Sequence, residues 1–536
     1  MKRPFPMIRS LALTVAASLA LLAGCAAIAP PIAPPMAPAQ SPAEFTAEVI
    51  AAPSAEKCRR WYQMLDEAVE QGGTPDAGAA RIAGFPQLRM DRFAASFKDA
   101  LRYTPRDASQ TQPDPARAAQ RRALLDYLQD LDTEARLFEL GNLPAAARFR
   151  LGLKSAETLA PMLGTCAAEM SRNTFSGAAE ADSIAALSSQ LTVPDQYADW
   201  KRILGLYALT SIPFLHGVEA WQQETARRFA QEADREPDAA ARYVPAAAAA
   251  GQTQHMLQRF AASPRDELGI PQLSVEDWAT LLAQYAPVFE IESGGAADKD
   301  SDRFGTLRFA GEGPPVVDAD KPVAYQRIAF TRYRGQTLVQ LVYGIWFPQR
   351  PAAQTIDLLA GRLDGVMIRI TLDARGAPLL VDSIHACGCY HLFFPGPRLS
   401  PRPAPRDHME WAFIPARLPM LDAGQRVQVR LAPSSHYLID IRPFNGAPRA
   451  TDIRYGLRDD NELRALPLPG GGQRSVFGSD GIIAGSERGE RFLFWPMGIA
   501  SPGAMRQWGT HATAFVGRRH FDDADLIEQR FDIKPD

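Results

Sequence analysis

Apolar and polar residues alternate along this chain with two different periods, and the change from one to the other falls near residue 288. From about Ala43 to Tyr285 apolar residues recur at spacings of three and four, as a helix face requires. Trp61, Met64, Leu65 and Val69 form one stripe. Leu124, Tyr127, Leu128, Leu131 and Ala135 form a second, and Ile203, Leu204, Tyr207 and Ala208 a third. Ser54 stands where an N-cap is expected, and Gly72-Gly73 supplies the stop of the same helix. Beyond Val288 the texture becomes β-branched and aromatic. AYQRIAFTRY, TLVQLVYGIWF, VMIRITL, PLLVDSI, RVQVRL and HYLIDIR all read as strands. Arg334-Gly335 and Asp373-Ala374-Arg375-Gly376 fall between pairs of these runs as hairpin signals. The pattern predicts an α+β protein, with a mainly helical region over 43–287 and a mainly β region over 288–536 that forms a sandwich-like or curved sheet.

The first 42 residues follow neither pattern. Lys2, Arg3 and Arg9 precede an uncharged run from Leu11 to Leu22, then small residues and a cysteine. That order describes a signal peptide, residues 1–24. The apolar run is shorter than the roughly 20 residues a membrane-spanning helix needs. Leu22-Ala23-Gly24-Cys25 resembles the lipobox of bacterial prolipoproteins. The resemblance implies cleavage before Cys25, a lipid on Cys25 that anchors the chain to a bilayer, and, with Ala26 following, sorting to the outer membrane. It covers this segment alone. Residues 25–42 then form a proline-rich spacer, PPIAPPMAPAQSP, extended at about 3.1 Å per residue and about 50 Å long.

Composition narrows the field. Removing residues 1–24, three of them basic, takes the formal charge from −3 to −6, which argues against nucleic acid as a partner. With 46% hydrophobic and 22% charged residues the chain has the makeup of a globular protein. Apart from the lipid bilayer, the partners expected are an envelope protein or a cell-wall component.

Of the four cysteines other than Cys25, Cys58 and Cys166 both lie in the helical region and are predicted to pair. The alternative is two buried thiols. The other two belong to the densest chemistry in the chain, His385-Ala386-Cys387-Gly388-Cys389-Tyr390-His391. Three readings of this segment stand side by side: His385, Cys387, Cys389 and His391 as ligands of a transition metal ion, a Cys387–Cys389 disulfide, or buried packing. An extended strand would place the two histidines roughly 20 Å apart, so a single ion requires the chain to fold back near Gly388. His408, His436, His511 and His520, with Asp522, are a candidate polar site on the same half. Familiar catalytic signatures are missing: there is no HExxH, no GxSxG and no phosphate-binding glycine motif around Gly470-Gly471-Gly472. Ser54 and Lys57 have SxxK spacing, but a helix cap explains that serine. The function expected is therefore a binding or structural module presented from the cell envelope, with a metal-dependent hydrolase or redox enzyme built on residues 385–391 as the alternative.

Overall fold

In the computed structural model the described residues are 40–101, 114–233, 235, 239–246, 253–292, 300–405, 409–422, 424–447 and 449–534. The signal segment, Cys25 and the spacer through residue 39 lie outside them, as does His408.

The helices begin where capping residues allow. Ser54 accepts a hydrogen bond from the Lys57 amide and opens the helix Ala55–Gly72, and Gly73 closes it in the left-handed conformation at φ 64°. Cys58, Trp61, Tyr62, Leu65 and Val69 are its buried face. They pack with Leu159, Leu163, Cys166 and Met170 of Ala156–Thr174. Cys58 and Cys166 form a disulfide across this interface, with Cα atoms 5.2 Å apart.

The long helix Pro115–Gly141 buries charge as well as hydrocarbon. Arg89, in the short hairpin Ala80–Ile82 and Phe85–Met90, donates to Asp132 at 3.1 Å and to Glu139 at 2.6 Å. Arg136 meets the other Asp132 oxygen at 2.8 Å and Asp66 at 2.7 Å. Every charge in this network has a partner of opposite sign, the condition for burying it.

Ten strands, labelled here in chain order, make one large curled sheet. They are β1 (Ala240–Pro245), β2 (Val288–Glu292), β3 (Val323–Tyr333), β4 (Gln336–Arg350) and β5 (Gly361–Leu372). β6 (Pro378–His385), β7 (Leu392–Pro395), β8 (Val427–Leu431), β9 (Leu438–Pro443) and β10 (Ile453–Asp459) complete it. The spatial order is β7-β6-β5-β4-β3-β10-β1-β2-β8-β9. From β3 to β7 the sheet is an antiparallel meander. β10 then runs parallel to both β3 and β1, and β8 parallel to β2. The predicted hairpins are present, and Arg334 (φ 48°) with Gly335 (φ 82°) turns β3 into β4.

This is an α+β fold with a curled sheet rather than a sandwich, and all six strand-like runs of the sequence are strands in it. One strand of this sheet comes from the mainly helical stretch, which also holds the separate hairpin Ala80–Ile82 and Phe85–Met90: β1 sits between β10 and β2.

Both faces of the sheet are covered. On β4, Val339, Leu341, Tyr343, Ile345 and Phe347 pack toward a core shared with Phe229, Phe260 and Tyr285, which come from three helices. Val342 and Trp346 point the other way, into clusters built with residues of the C-terminal segment such as Met505 and Phe521. That segment has little regular structure between Val476 and Ala524, so its carbonyls need other partners. Buried arginines supply them. Within the segment Arg488 donates to Gly503 O, Arg506 to Ser501 O and Arg519 to Thr513 O, and the same three guanidiniums tie it to Leu363 O, Cys387 O and Trp411 O elsewhere in the chain. Among the described residues, no helix is long and apolar enough to cross a membrane.

Candidate functional site

The segment 385–391 does fold back. β6 ends at His385, the Gly388 amide donates to His385 O at 2.7 Å, and the His385 amide donates to Cys389 O at 3.0 Å. Gly388 takes φ 91°, and a Cβ there would strike the carbonyl of Ala512. Glycine is required twice over, by conformation and by space.

The fold-back does not gather four ligands. His385 Nδ1 lies 3.6 Å from Asp364, whose other oxygen meets His436 Nδ1 at 2.8 Å. His391 Nε2 instead contacts Asp382 at 2.8 Å, and Asp382 is gripped by both ends of the Arg369 guanidinium. The two histidines therefore turn to different carboxylates. Among the described residues, no three histidine, cysteine or acidic side chains are arranged to hold a metal. Of the expected ligand set His385, Cys387, Cys389 and His391, the last three line one cavity and His385 turns away from it toward Asp364. Both cysteines are free thiols, and the Cys389 amide donates to Cys387 Sγ at 3.4 Å.

The described side chains of the expected polar site do not converge on one point either. His436 stacks on Phe347 with ring centres 3.7 Å apart and braces Asp364. His511 is buried against Ala386 O at 3.2 Å, where burial and the nearby Arg506 charge pull its pKa down to about 3. His520 lies between Asp195 at 3.2 Å and Asp523 at 3.4 Å. Asp522 pairs with Arg92 at 3.2 Å in a separate polar cavity of about 350 Å³. His511, His520 and Asp522 lie on two adjoining segments, the Phe521 amide donating to His511 O at 3.0 Å, but their side chains turn to different partners.

What the fold-back builds is the floor of a larger cavity, about 500 Å³, between the sheet, the helix Tyr207–Glu232 and the C-terminal segment. Cys387, Gly388, Cys389, Tyr390 and His391 line it from below. The walls are mainly aromatic. Trp221 packs against Phe413 at 5.5 Å and Tyr390 at 5.3 Å, and Phe494 stands between Phe214 at 5.3 Å and Phe515 at 4.8 Å. Tyr390 and Tyr437 join their hydroxyls at 2.8 Å, with Arg350 donating to Tyr437 at 3.1 Å. This pair separates the cavity from a smaller one of about 120 Å³, which His385 lines.

Few polar groups face so much hydrocarbon. Glu490 lines the cavity and is only 4% exposed. Burial raises its pKa to about 7, against the pull of the Arg488 and Arg350 charges. Space for its carboxylate comes from Gly503, where a Cβ would collide with it. His391 is held neutral by burial, its pKa down at about 3, and its Nδ1 has no hydrogen-bond partner. A hydrogen bond with Cys387 and burial together keep the Cys389 thiol protonated, far above its ordinary pKa. An apolar chamber with a few convergent polar groups of perturbed acidity is the usual form of a small-molecule site.

Sequence reasoning found the floor, through the concentration of cysteine and histidine. It missed Glu490, Trp221 and Tyr437, which come from three separate parts of the chain and carry no local signature. No protein-family model, curated protein or solved structure matches the chain.

Proposed function

We propose that this protein is a binding module of the cell envelope, lipidated at Cys25 and lying at the outer membrane, that holds an amphiphilic small molecule in the 500 Å³ cavity. The observation that carries the reading is the composition of that cavity: aromatic and aliphatic side chains make up most of its lining, with Glu490, Cys389, His391 and the Glu410–Arg519 pair among its polar groups. Hydrocarbon or ring portions of a ligand gain the apolar contact. A head group that donates hydrogen bonds finds its acceptor in Glu490, and one that carries positive charge favours the ionised carboxylate.

Gly217 allows a direct test, because it lines the cavity from its helix and a Cβ there meets nothing within 4 Å. Gly217→Trp fills the chamber. Titration with a fluorescent long-chain amine should give saturable one-to-one binding to the wild type and none to this variant; equal binding by both would refute the cavity as the site. Lipidation is tested separately by incorporation of labelled fatty acid, which Cys25→Ser should abolish.

A redox reading has one observation in its favour, the two free thiols side by side on the cavity floor. Against it, thiol–disulfide exchange proceeds through a thiolate, and Cys389 is held as a thiol. Thiol counts before and after exposure to oxidised glutathione decide: a reversible loss of two thiols at Cys387 and Cys389 would favour this reading over binding alone.

A further inference from the structure

The third apolar stripe of the sequence is not buried. Trp200, Ile203, Leu204, Leu206, Leu209 and Ile212 are each more than half exposed, Ile203 as much as 73%. They follow one another along the short helix Asp199–Leu204 and the first turns of Tyr207–Glu232. Beside them run Phe492 at 72%, Leu493 at 55% and Trp495 at 37%. The two strips are fastened together: the Ala198 amide donates to Gly498 O at 2.8 Å, Arg202 to Met497 O at 2.9 Å, and Gly205 packs on Pro496. The result is an apolar face shared by two adjoining segments, and a cluster of exposed hydrophobic side chains of this kind marks an interaction surface.

We infer that this face docks into the interfacial layer of a lipid bilayer and that the cavity fills from there; the second half rests on the amphiphile-binding reading. Three observations favour lipid over a protein partner. Cations sit with the aromatic groups, Lys201 Nζ 5.7 Å from the centre of the Trp200 ring and Arg491 4.9 Å from that of Phe492. Tryptophan beside lysine and arginine suits the boundary between acyl chains and phosphates. The one acidic group in the first strip, Asp199, is paired with Arg518. Second, the face runs into the cavity, since Leu493 is exposed on the one and lines the other, and Pro213 and Phe214 of the wall directly follow Ile212. An amphiphile could pass from bilayer to chamber without crossing water. Third, only residues 26–39 separate Cys25 from the folded body. At about 3.1 Å per residue a lipid on Cys25 keeps the start of the folded body, Gln40, within roughly 45 Å of the membrane and so raises the local concentration of bilayer around it.

The test uses the chain from Gln40 to Asp536, which contains all seven core clusters and no acylation site. It is floated with vesicles of phosphatidylethanolamine and phosphatidylglycerol, some carrying brominated acyl chains. The wild type should float, and bromine should quench its tryptophan fluorescence. Leu204→Ser/Leu209→Ser/Phe492→Ser should lower the partition coefficient about 100-fold or more with an unchanged melting temperature. Failure of the wild type to float would overturn the inference. So would a wild-type dimer in analytical ultracentrifugation that the triple variant converts to monomer, because the face would then belong to a second copy. Gly217→Trp should float like the wild type; if the wild type floats but gives no saturable binding in the amine titration, or binds no better than Gly217→Trp, the ligand reading is refuted and the docking surface stands.

Discussion

Glu490→Gln isolates the cost of keeping a carboxyl group in an apolar chamber. The folded protein holds this group at a pKa of about 7, against 4.5 for an ordinary glutamate. Protonation is thus easier in the folded state. Below pH 4.5 both states carry the proton and the group is neutral to stability; as pH rises through 7 the folded state must ionise a buried acid that the unfolded chain ionises freely. The difference corresponds to a loss of about 3 kcal/mol, complete above pH 7. Glutamine has nearly the shape of the protonated acid and cannot ionise. Urea melts of wild type and variant at pH 4.5, 6 and 8 should therefore differ by an amount that grows with pH, with the variant gaining about 3 kcal/mol on the wild type between the extremes. The infrared band of the protonated carboxyl should titrate with a midpoint near 7 in the wild type and be missing from the variant. A difference independent of pH, or one favouring the wild type as pH rises, would refute the argument. The variant should also bind cationic amphiphiles more weakly above pH 7, which would connect the energetic cost to recognition.

Breaking the Cys58–Cys166 bridge with serines at both positions removes a crosslink across 108 residues and should lower stability by about 4 to 5 kcal/mol, read by calorimetry under oxidising conditions. Asp132→Ala leaves Arg89 and Arg136 buried without their shared carboxylate and should cost about 3 to 5 kcal/mol in denaturant melts; a cost below 1 kcal/mol would show that the network relaxes to water. His391 and His511, both at a pKa of about 3, should show no imidazole titration by nuclear magnetic resonance between pH 8 and 4.5. Their folded-state values lie below the unfolded one of 6.5, so the stability they contribute is present above pH 6.5 and declines as pH falls toward 3, by up to about 1.4 kcal/mol per pH unit for each.

The parts of this fold legible in the sequence are those decided by neighbours along the chain. Alternation marked β3 to β6, β8 and β9, and the turn between β3 and β4 was signalled by Gly335, which takes positive φ without steric cost. Ser54 and Gly73 marked the ends of one helix because caps are local chemistry. Periodicity alone did not say what a stripe faces. Cys58, Trp61 and Leu65 turn to a core, whereas Ile203 and Leu204, with the same spacing, turn outward. β1 escaped notice because Ala240–Pro245 is short and gains its strand character from β10 and β2, which lie far along the chain. At the site, the fold-back at Gly388 could be posed as a condition, but the carboxylates that claim His385 and His391 could not be chosen. Asp364 and Asp382 sit on neighbouring strands, and only the register of β5 and β6 decides which histidine each one meets.

The position of β10 has a consequence for how the chain reaches this state. β1 and β3 lie on either side of it and do not pair with each other, so the two halves of the sheet remain separate pieces until residues 453–459 enter between them. Joining them requires closing a loop of some 200 residues from β1 and over 100 from β3, and strand pairings so distant form slowly. During synthesis the meander β3 to β7 can assemble as soon as it is available, but its open edge at β3 stays unpaired until most of the remaining chain has arrived. An unpaired edge of eleven residues is a hazard for association with other chains. Release of the polypeptide short of Asp459 should leave an aggregation-prone fragment, while a chain that reaches it joins the two halves of the sheet and pairs the first four residues of that edge, Val323 to Gln326, the Arg332 amide finding Ala524 O only later still.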